Sequence, residues 1–162
     1  MDPRQPSERN GASGMRCLRQ KELVLPMLPD KELEAGEEAS ALATQAEMEP
    51  DRIDELRLAV QEAFINASEH SLASDGRVYV TLALWGDERP RVVQVTVRDT
   101  GVGFTEPVGR GTMRAEAGKP KKRGWGLTLI RRLVDEVEID SGSHGTVVVM
   151  RKRIGSLATE ST

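Results

Sequence analysis

Apolar residues fall into short blocks whose period changes along the chain. From Asp51 to about Ser71, Ile53, Leu56, Val60, Phe64 and Ala67 recur at the steps of one helix face. Asp51 reads as the N-cap of that helix, with Asp54 three residues on as a variant of the capping box. The period then drops to two. Val78, Val80, Leu82 and Leu84 alternate with Tyr79, Thr81 and Ala83, and Val93, Val95 and Val97 alternate with Gln94, Thr96 and Arg98. Turn residues Gly86 to Pro90 lie between the two runs, so they predict a hairpin. A third helix from Leu127 to about Asp135 should bury Leu127, Ile130, Leu133 and Val134. A last hairpin joins Val137–Asp140 to Thr146–Met150 through Ser141–Gly145. Earlier signals are weaker. Asp30 would cap a helix over roughly 31–47 with Ala35, Ala39, Leu42 and Ala46 on its apolar face, although Gly36 interrupts it. The run Leu23–Leu28 contains Pro26 and reads as an edge strand at best. These elements predict an α/β (α+β) two-layer sandwich: a largely antiparallel or mixed sheet with helices on one face.

Composition narrows the class. A chain of 162 residues suits a single domain. Residues 1–15 and 154–162 are polar and read as disordered tails, which leaves a folded domain over 20–153. Aromatics make up only 3%, so the core must rest on Val, Leu, Ile and Ala. A net charge of -3 lacks the basic footprint of a nucleic-acid binder, so no direct nucleic-acid contact is expected. A single Cys, Cys17, excludes an internal disulfide, and with His70 and His144 far apart a zinc site is not expected. No apolar run approaches the roughly 20 residues that span a bilayer, and the N-terminus lacks the apolar stretch of a secretory signal. The expected setting is therefore cytoplasmic. One stretch, about 100–123, is a long loop rich in Gly, Lys and Arg, and loops of that length are often lids or binding loops.

Several familiar sites are absent from the sequence. It has no Gly-x4-Gly-Lys-Ser/Thr phosphate loop, no Gly-x-Ser-x-Gly elbow and no His-Glu-x-x-His helix. Gly101-Val102-Gly103 fails the dinucleotide pattern because Glu106 stands where the third Gly belongs. Four segments remain. Glu62, Asn66 and His70 lie at four-residue steps on one helix face. Glu can take a proton from an attacking hydroxyl, and Asn offers a hard carbonyl oxygen to Mg²⁺; the same face also suits plain solvation. His70 reads as structural. Asp99-Thr100-Gly101-Val102-Gly103 follows a strand. Asp there can accept from the exocyclic amine of adenine, whereas guanine would leave the carboxylate unpaired at a cost of about 1–3 kcal/mol. An ordinary Asp/Gly turn is the other reading. Arg123-Gly124-Trp125-Gly126-Leu127 is expected directly before the third helix, where backbone N–H groups face an anion, with Lys119, Lys121 and Lys122 upstream. A flexible basic loop is the alternative there, and Trp125 reads as a plug in a surface groove rather than a cover for a ligand. Finally, Gly145-Thr146 opens the last strand, where a hydroxyl can reach a base edge or a bridging water, or simply end a turn.

The order of these segments resembles the Bergerat (GHKL) ATP-binding family over about residues 52–152. The wording Val-Gln-Glu-Ala-Phe-Ile-Asn-Ala-Ser-Glu-His and Arg-Gly-Trp-Gly-Leu-Thr-Leu-Ile-Arg-Arg-Leu-Val-Asp-Glu-Val-Glu-Ile is similar to the bacterial anti-sigma-factor serine kinases. The resemblance implies a Bergerat fold with an ATP lid over about 104–123, and ATP with Mg²⁺ as ligands. It implies Glu62 as general base, Asn66 as Mg²⁺ ligand and Asp99 as adenine reader beside Gly101 and Gly103. Arg123, Gly124, Gly126 and Leu127 would bound the phosphates, and Thr146 would support the adenine end. It further implies a protein serine/threonine kinase and anti-sigma factor. Such a protein binds an alternative sigma factor and phosphorylates a serine of a STAS-domain anti-sigma-factor antagonist, as a homodimer. Rival readings are a related switch kinase acting on other STAS proteins or a phosphatase, and a non-catalytic ATP/sigma-binding module. A third is the catalytic domain of a histidine kinase, for which no phospho-accepting helical segment is expected before residue 50.

Overall fold

The elements follow the change of period. In chain order they are β1 (Arg16–Pro26), α1 (Lys31–Gln45), α2 (Pro50–His70), β2 (Arg77–Gly86), β3 (Pro90–Asp99), α3 (Arg123–Leu133), β4 (Glu136–Gly142) and β5 (Gly145–Arg153). The computed structural model describes residues 14–70, 75–101 and 123–155. The tails expected at both ends begin or finish outside those residues, and so does nearly all of the expected lid.

The strands form one sheet in the order β1-β2-β3-β5-β4, and each neighbouring pair is antiparallel. A mixed sheet was the open alternative. The crossover β3–α3–β4 does bring β4 back in the direction of β3, but β5 inserts between them, so no described pair is parallel.

One face of the sheet carries the apolar rows. Val78, Val80, Leu82 and Leu84 from β2, Val93, Val95 and Val97 from β3, and Val148 and Met150 from β5 are all buried there. Leu56, Val60, Phe64 and Ala67 of α2 meet them, joined by Ala59 and Ala63, while Ile53 is only partly buried. From α3 come Leu127 and Ile130, with Val134 just past its end. Gly36, which weakens the helical pattern of α1, is explained by packing. A Cβ there would lie 2.9 Å from Gln61 Cγ, so the missing side chain is what lets α1 lie against α2.

The ends of elements differ from expectation for physical reasons. β1 starts at Arg16, well before its apolar run, because Arg19 donates to Gln45 Oε1 at 2.5 Å and Lys21 pairs with Glu38 at 2.6 Å, both on α1. Pro26 ends that edge strand, where a missing N–H costs little. Asp30 does not cap α1 with its side chain; it sits in the left-handed region at φ 71°. α2 begins at Pro50, a residue suited to a first turn, so Asp51 lies inside the helix. Asp54 pairs with Arg57 instead of capping.

The inward row of β5 ends in Lys152, which is only 2% exposed. Its ammonium pairs with Glu55 Oε2 of α2 at 2.6 Å and also donates to the Leu133 carbonyl at the end of α3.

Among the described residues Phe64 is the largest fully buried side chain, in a core with few aromatics. Phe64→Ala is expected to cost about 3–5 kcal/mol. Urea unfolding should show this as a lower midpoint with an unchanged slope.

Candidate functional site

At one end of the sheet the inward row turns from apolar to polar. Val80, Val97, Val148 and Ile139 are successive cross-strand partners. Two residues further along each strand, the inward positions are Val78 paired with Asp99, and Thr146 paired with Ser141. The β3–β5 ladder ends at Arg98–Val147, so alternation sets Asp99 and Thr146 side by side. Both are buried, at 6% and 5% exposure.

Each member of this polar row is held. Asp99 Oδ1 accepts the Gly101 N–H at 2.9 Å, which turns the chain back over the carboxylate. The Thr146 and Ser141 hydroxyls are 2.8 Å apart. Gly145 has φ +118°, and a Cβ there would fall 2.0 Å from the Asp99 carbonyl oxygen. Only glycine permits that approach.

A second grouping lies between α2 and α3. Glu62 and Asn66, one turn apart on α2, are both half-buried. Gly126 is buried against Asn66: a Cβ at that position would sit 2.8 Å from Asn66 Nδ2 and 2.9 Å from Oδ1. The amide of Asn66 is thereby set against the first turn of α3. That helix starts at Arg123, so Gly124 and Gly126 lie inside its first turn rather than ahead of it. That placement leaves the electrostatics intact, because first-turn N–H groups lack intrahelical partners and carry the positive end of the dipole. Leu127 places its side chain in the core and so anchors that turn. The sequence thus gives two sets that the fold assembles, Asn66 with Gly126, and Asp99 with Gly101 and Thr146. α2 packs on both α3 and β3. Gly103 and the loop from 104 to 122 lie outside the described residues, as do the side chains of His70, Arg123 and Trp125. Ser141 was not among the expected site residues. Its signal was available in the alternation Val137, Ile139, Ser141, where a hydroxyl replaces the third inward apolar residue.

The neighbouring corner is also polar. Asp75 accepts from the Tyr79 hydroxyl at 2.8 Å and from the Arg77 N–H at 3.1 Å, and Arg98 lies 4.2 Å from the Tyr79 ring centroid. The Tyr79 hydrogen bond holds the Asp75 carboxyl below its ordinary value of 3.8, against a smaller opposing effect of burial.

Asn66 and the N-terminal turn of α3 are a fit for a phosphate-bound cation. Among the described residues no group of three or more His, Cys, Asp or Glu is placed to hold a metal by itself. A magnesium ion needs no such cage, since one protein oxygen plus phosphate oxygens and waters is a usual set. Nor is any described helix long and apolar enough to cross a membrane.

A family model described as the histidine kinase-like ATPase domain matches residues 25–152. The chain belongs to that family. Its relatives include the anti-sigma F factor of Heyndrickxia coagulans, 32% identical over 117 residues that cover 67% of this chain and 76% of that protein. The anti-sigma F factor of Bacillus subtilis is 30% identical over 115 residues, again 67% of this chain and 76% of the relative. That of Priestia megaterium is 29% identical over 140 residues, 83% and 92% of the two chains. Among solved structures, the RsbU and RsbW domains of Rv1364c from Mycobacterium tuberculosis superpose with a TM-score of 0.62 at 22% identity. That match covers 84% of this chain and 32% of the other, and supports the fold. The family's fold is an ATP-binding one, so the two polar groupings are candidate walls of a nucleotide site.

Two outcomes follow from this geometry. Gly126→Ala should push the Asn66 amide aside and weaken Mg-nucleotide binding at least 10-fold, with the far-ultraviolet circular dichroism unchanged. Calorimetric titration measures the loss. Tyr79→Phe should raise the Asp75 carboxyl toward its ordinary range, read by NMR titration of the side chain. The sign is fixed by the depressed folded-state value: the contribution of Asp75 to stability is present above the unfolded-state value and is lost as pH falls through the folded one. Asp75 is exposed, so the stability at stake is small and screened by salt.

Proposed function

We propose that this chain is an ATP-dependent protein serine kinase and anti-sigma factor, which binds an alternative sigma factor and phosphorylates a serine of a STAS-domain antagonist. The observation that carries the proposal is the close seat of Gly126 on Asn66. The reading is supported by a side-chain amide set against the N-terminal turn of α3, an amide of the type that can ligand a hard cation, at a helix end whose N–H groups have no intrahelical acceptors. The sigma-factor partner rests on the relatives' name, anti-sigma F factor, and the STAS-domain antagonist on the sequence resemblance alone.

Each residue has a task in this reading. Asp99 takes the exocyclic amine of adenine; a carboxylate has about four acceptor sites, and Gly101 uses one. Gly101 and Gly103 let the chain pass close to the base. Thr146 supports the same edge. First-turn N–H groups at Gly124 and Gly126 receive the phosphates, with charge added by Arg123 and with Leu127 fixing the turn in the core. Asn66 would hold Mg²⁺ through its carbonyl oxygen, and the ion would supply positive charge at the phosphates. Glu62 takes the proton of the substrate serine as its oxygen bonds to the γ-phosphorus and the bridging oxygen leaves with ADP. Such transfer depends mainly on positioning and charge, which a small site can provide. The kinase acts as a homodimer in the cytoplasm.

Two variants should fail in different ways. Glu62→Gln keeps shape but removes the base, so phosphate incorporation into the antagonist should fall about 10²–10⁴-fold while ATP still binds. Asn66→Ala should lose Mg-ATP binding and phosphorylation together. Radiolabel transfer and calorimetry on both variants separate the two. Wild-type rates in Glu62→Gln would remove Glu62 from the role. Sigma binding without phosphorylation of any antagonist by the unaltered chain would leave a non-catalytic holder.

A further inference from the structure

We propose that Ser141 is a specificity-determining positioning residue: it fixes the direction of the Thr146 hydroxyl and thereby selects adenine over guanine. This rests on the nucleotide reading above and adds to it a residue that none of the expected motifs contains.

The starting point is the row Asp99, Thr146, Ser141 across the end of the sheet. Thr146 is β-branched and buried, so its oxygen has little freedom; what remains free is the rotation of its O–H. A hydroxyl can donate or accept, and a site that reads a base needs one of the two. The carboxylate of Asp99 only accepts. The Thr146 and Ser141 hydroxyls, 2.8 Å apart, can share a proton in either direction. Ser141 lies on the far side of Thr146 from Asp99 in the strand order, so with Ser141 as the donor a Thr146 lone pair is taken up on that side and the Thr146 proton is left for a base edge beside Asp99.

The consequence is a fixed pattern: an acceptor at Asp99 and a donor at Thr146. Adenine offers its complement, an amine donor next to a ring-nitrogen acceptor. Guanine offers the reverse on that edge, a carbonyl acceptor next to a ring N–H donor. Without Ser141, the Thr146 hydroxyl can rotate to accept, and the row stops discriminating at that atom. Ser141 sits on edge strand β4 with one side half-exposed, so removing its hydroxyl leaves no buried cavity. The competing explanation is an ordinary cross-strand Ser–Thr pair that steadies the β4–β5 hairpin. The two explanations differ in what the ligand must contain.

The test titrates the full chain and its Ser141→Ala and Ser141→Thr variants with Mg²⁺ complexes of ATP, GTP and 1-deaza-ATP, which has a CH in place of the ring nitrogen. Ser141→Ala is expected to weaken ATP binding about 2- to 10-fold, the worth of one neutral hydrogen bond. It should leave 1-deaza-ATP affinity unchanged and lower the ATP-to-GTP preference, and Ser141→Thr should restore both. Equal losses for ATP and 1-deaza-ATP would overturn the proposal in favour of hairpin support, as would no loss at all. An unaltered chain that binds neither ATP nor GTP would overturn the nucleotide reading itself, and this assignment with it. If Ser141→Ala unfolds, Ser141→Cys, of nearly the same shape with a weak donor, must show the ATP-only loss for the assignment to stand.

Discussion

Lys152 brings a full charge to the apolar side of the sheet, and the placement of α2 and α3 follows from how that charge is met. An ammonium buried without partners would cost several kcal/mol. Here it pairs with Glu55 on α2 and donates to the carbonyl that ends α3. The end of a helix is where carbonyls lack partners and the dipole is negative, so a single cation serves three elements at once. Beside it, Arg52 of α2 donates to Asp135 Oδ2 at 2.9 Å and to the Arg153 carbonyl, and Asp135 accepts the Arg153 N–H at 2.7 Å. The first half of α2, the end of α3 and the last strand are thus fastened together. α2 is stiff over its 21 residues. Fixing it at Glu55 sets the height of Asn66, three turns further on, relative to α3.

That chain of constraint explains which parts of the fold could be read from the sequence. β2, β3 and β5 were legible because one face is buried, which forces a strict two-residue period on Val78–Leu84, Val93–Val97 and Thr146–Met150. The inner face of α2 was legible for the same reason at its own period. The first half of β1 was not, because Arg19 and Lys21 reach α1 with charge and hydrogen bonds where an apolar residue would have shown itself. The start of α3 was missed because two glycines oppose a helix locally, and the contact that seats one of them, Gly126, on Asn66 joins residues distant in sequence. Strand order was hidden too: nothing local tells β5 to enter between β3 and β4.

The candidate site shows the same division. Asp99, Gly145 and Thr146 carry recognisable residue types, and Gly145 has a backbone angle that accounts for its identity. Ser141 looks like a turn residue until the register pairs it with Thr146. The polar row is not a separate construction. It is the core's alternation carried two residues further, with acceptor and hydroxyl groups in the positions that valine and isoleucine fill one row below.

The first turn of α3 has a consequence for how this sequence can change. Alanine would strengthen that turn at position 126 by about 1 kcal/mol on helix propensity alone. The seat of Gly126 on the Asn66 amide sets that gain against displacement of the amide. The most direct route to a firmer helix therefore disturbs Asn66, and gains in heat resistance that keep Asn66 in place come from elsewhere in the chain. The turn stays intrinsically soft, and its rigidity is on loan from α2.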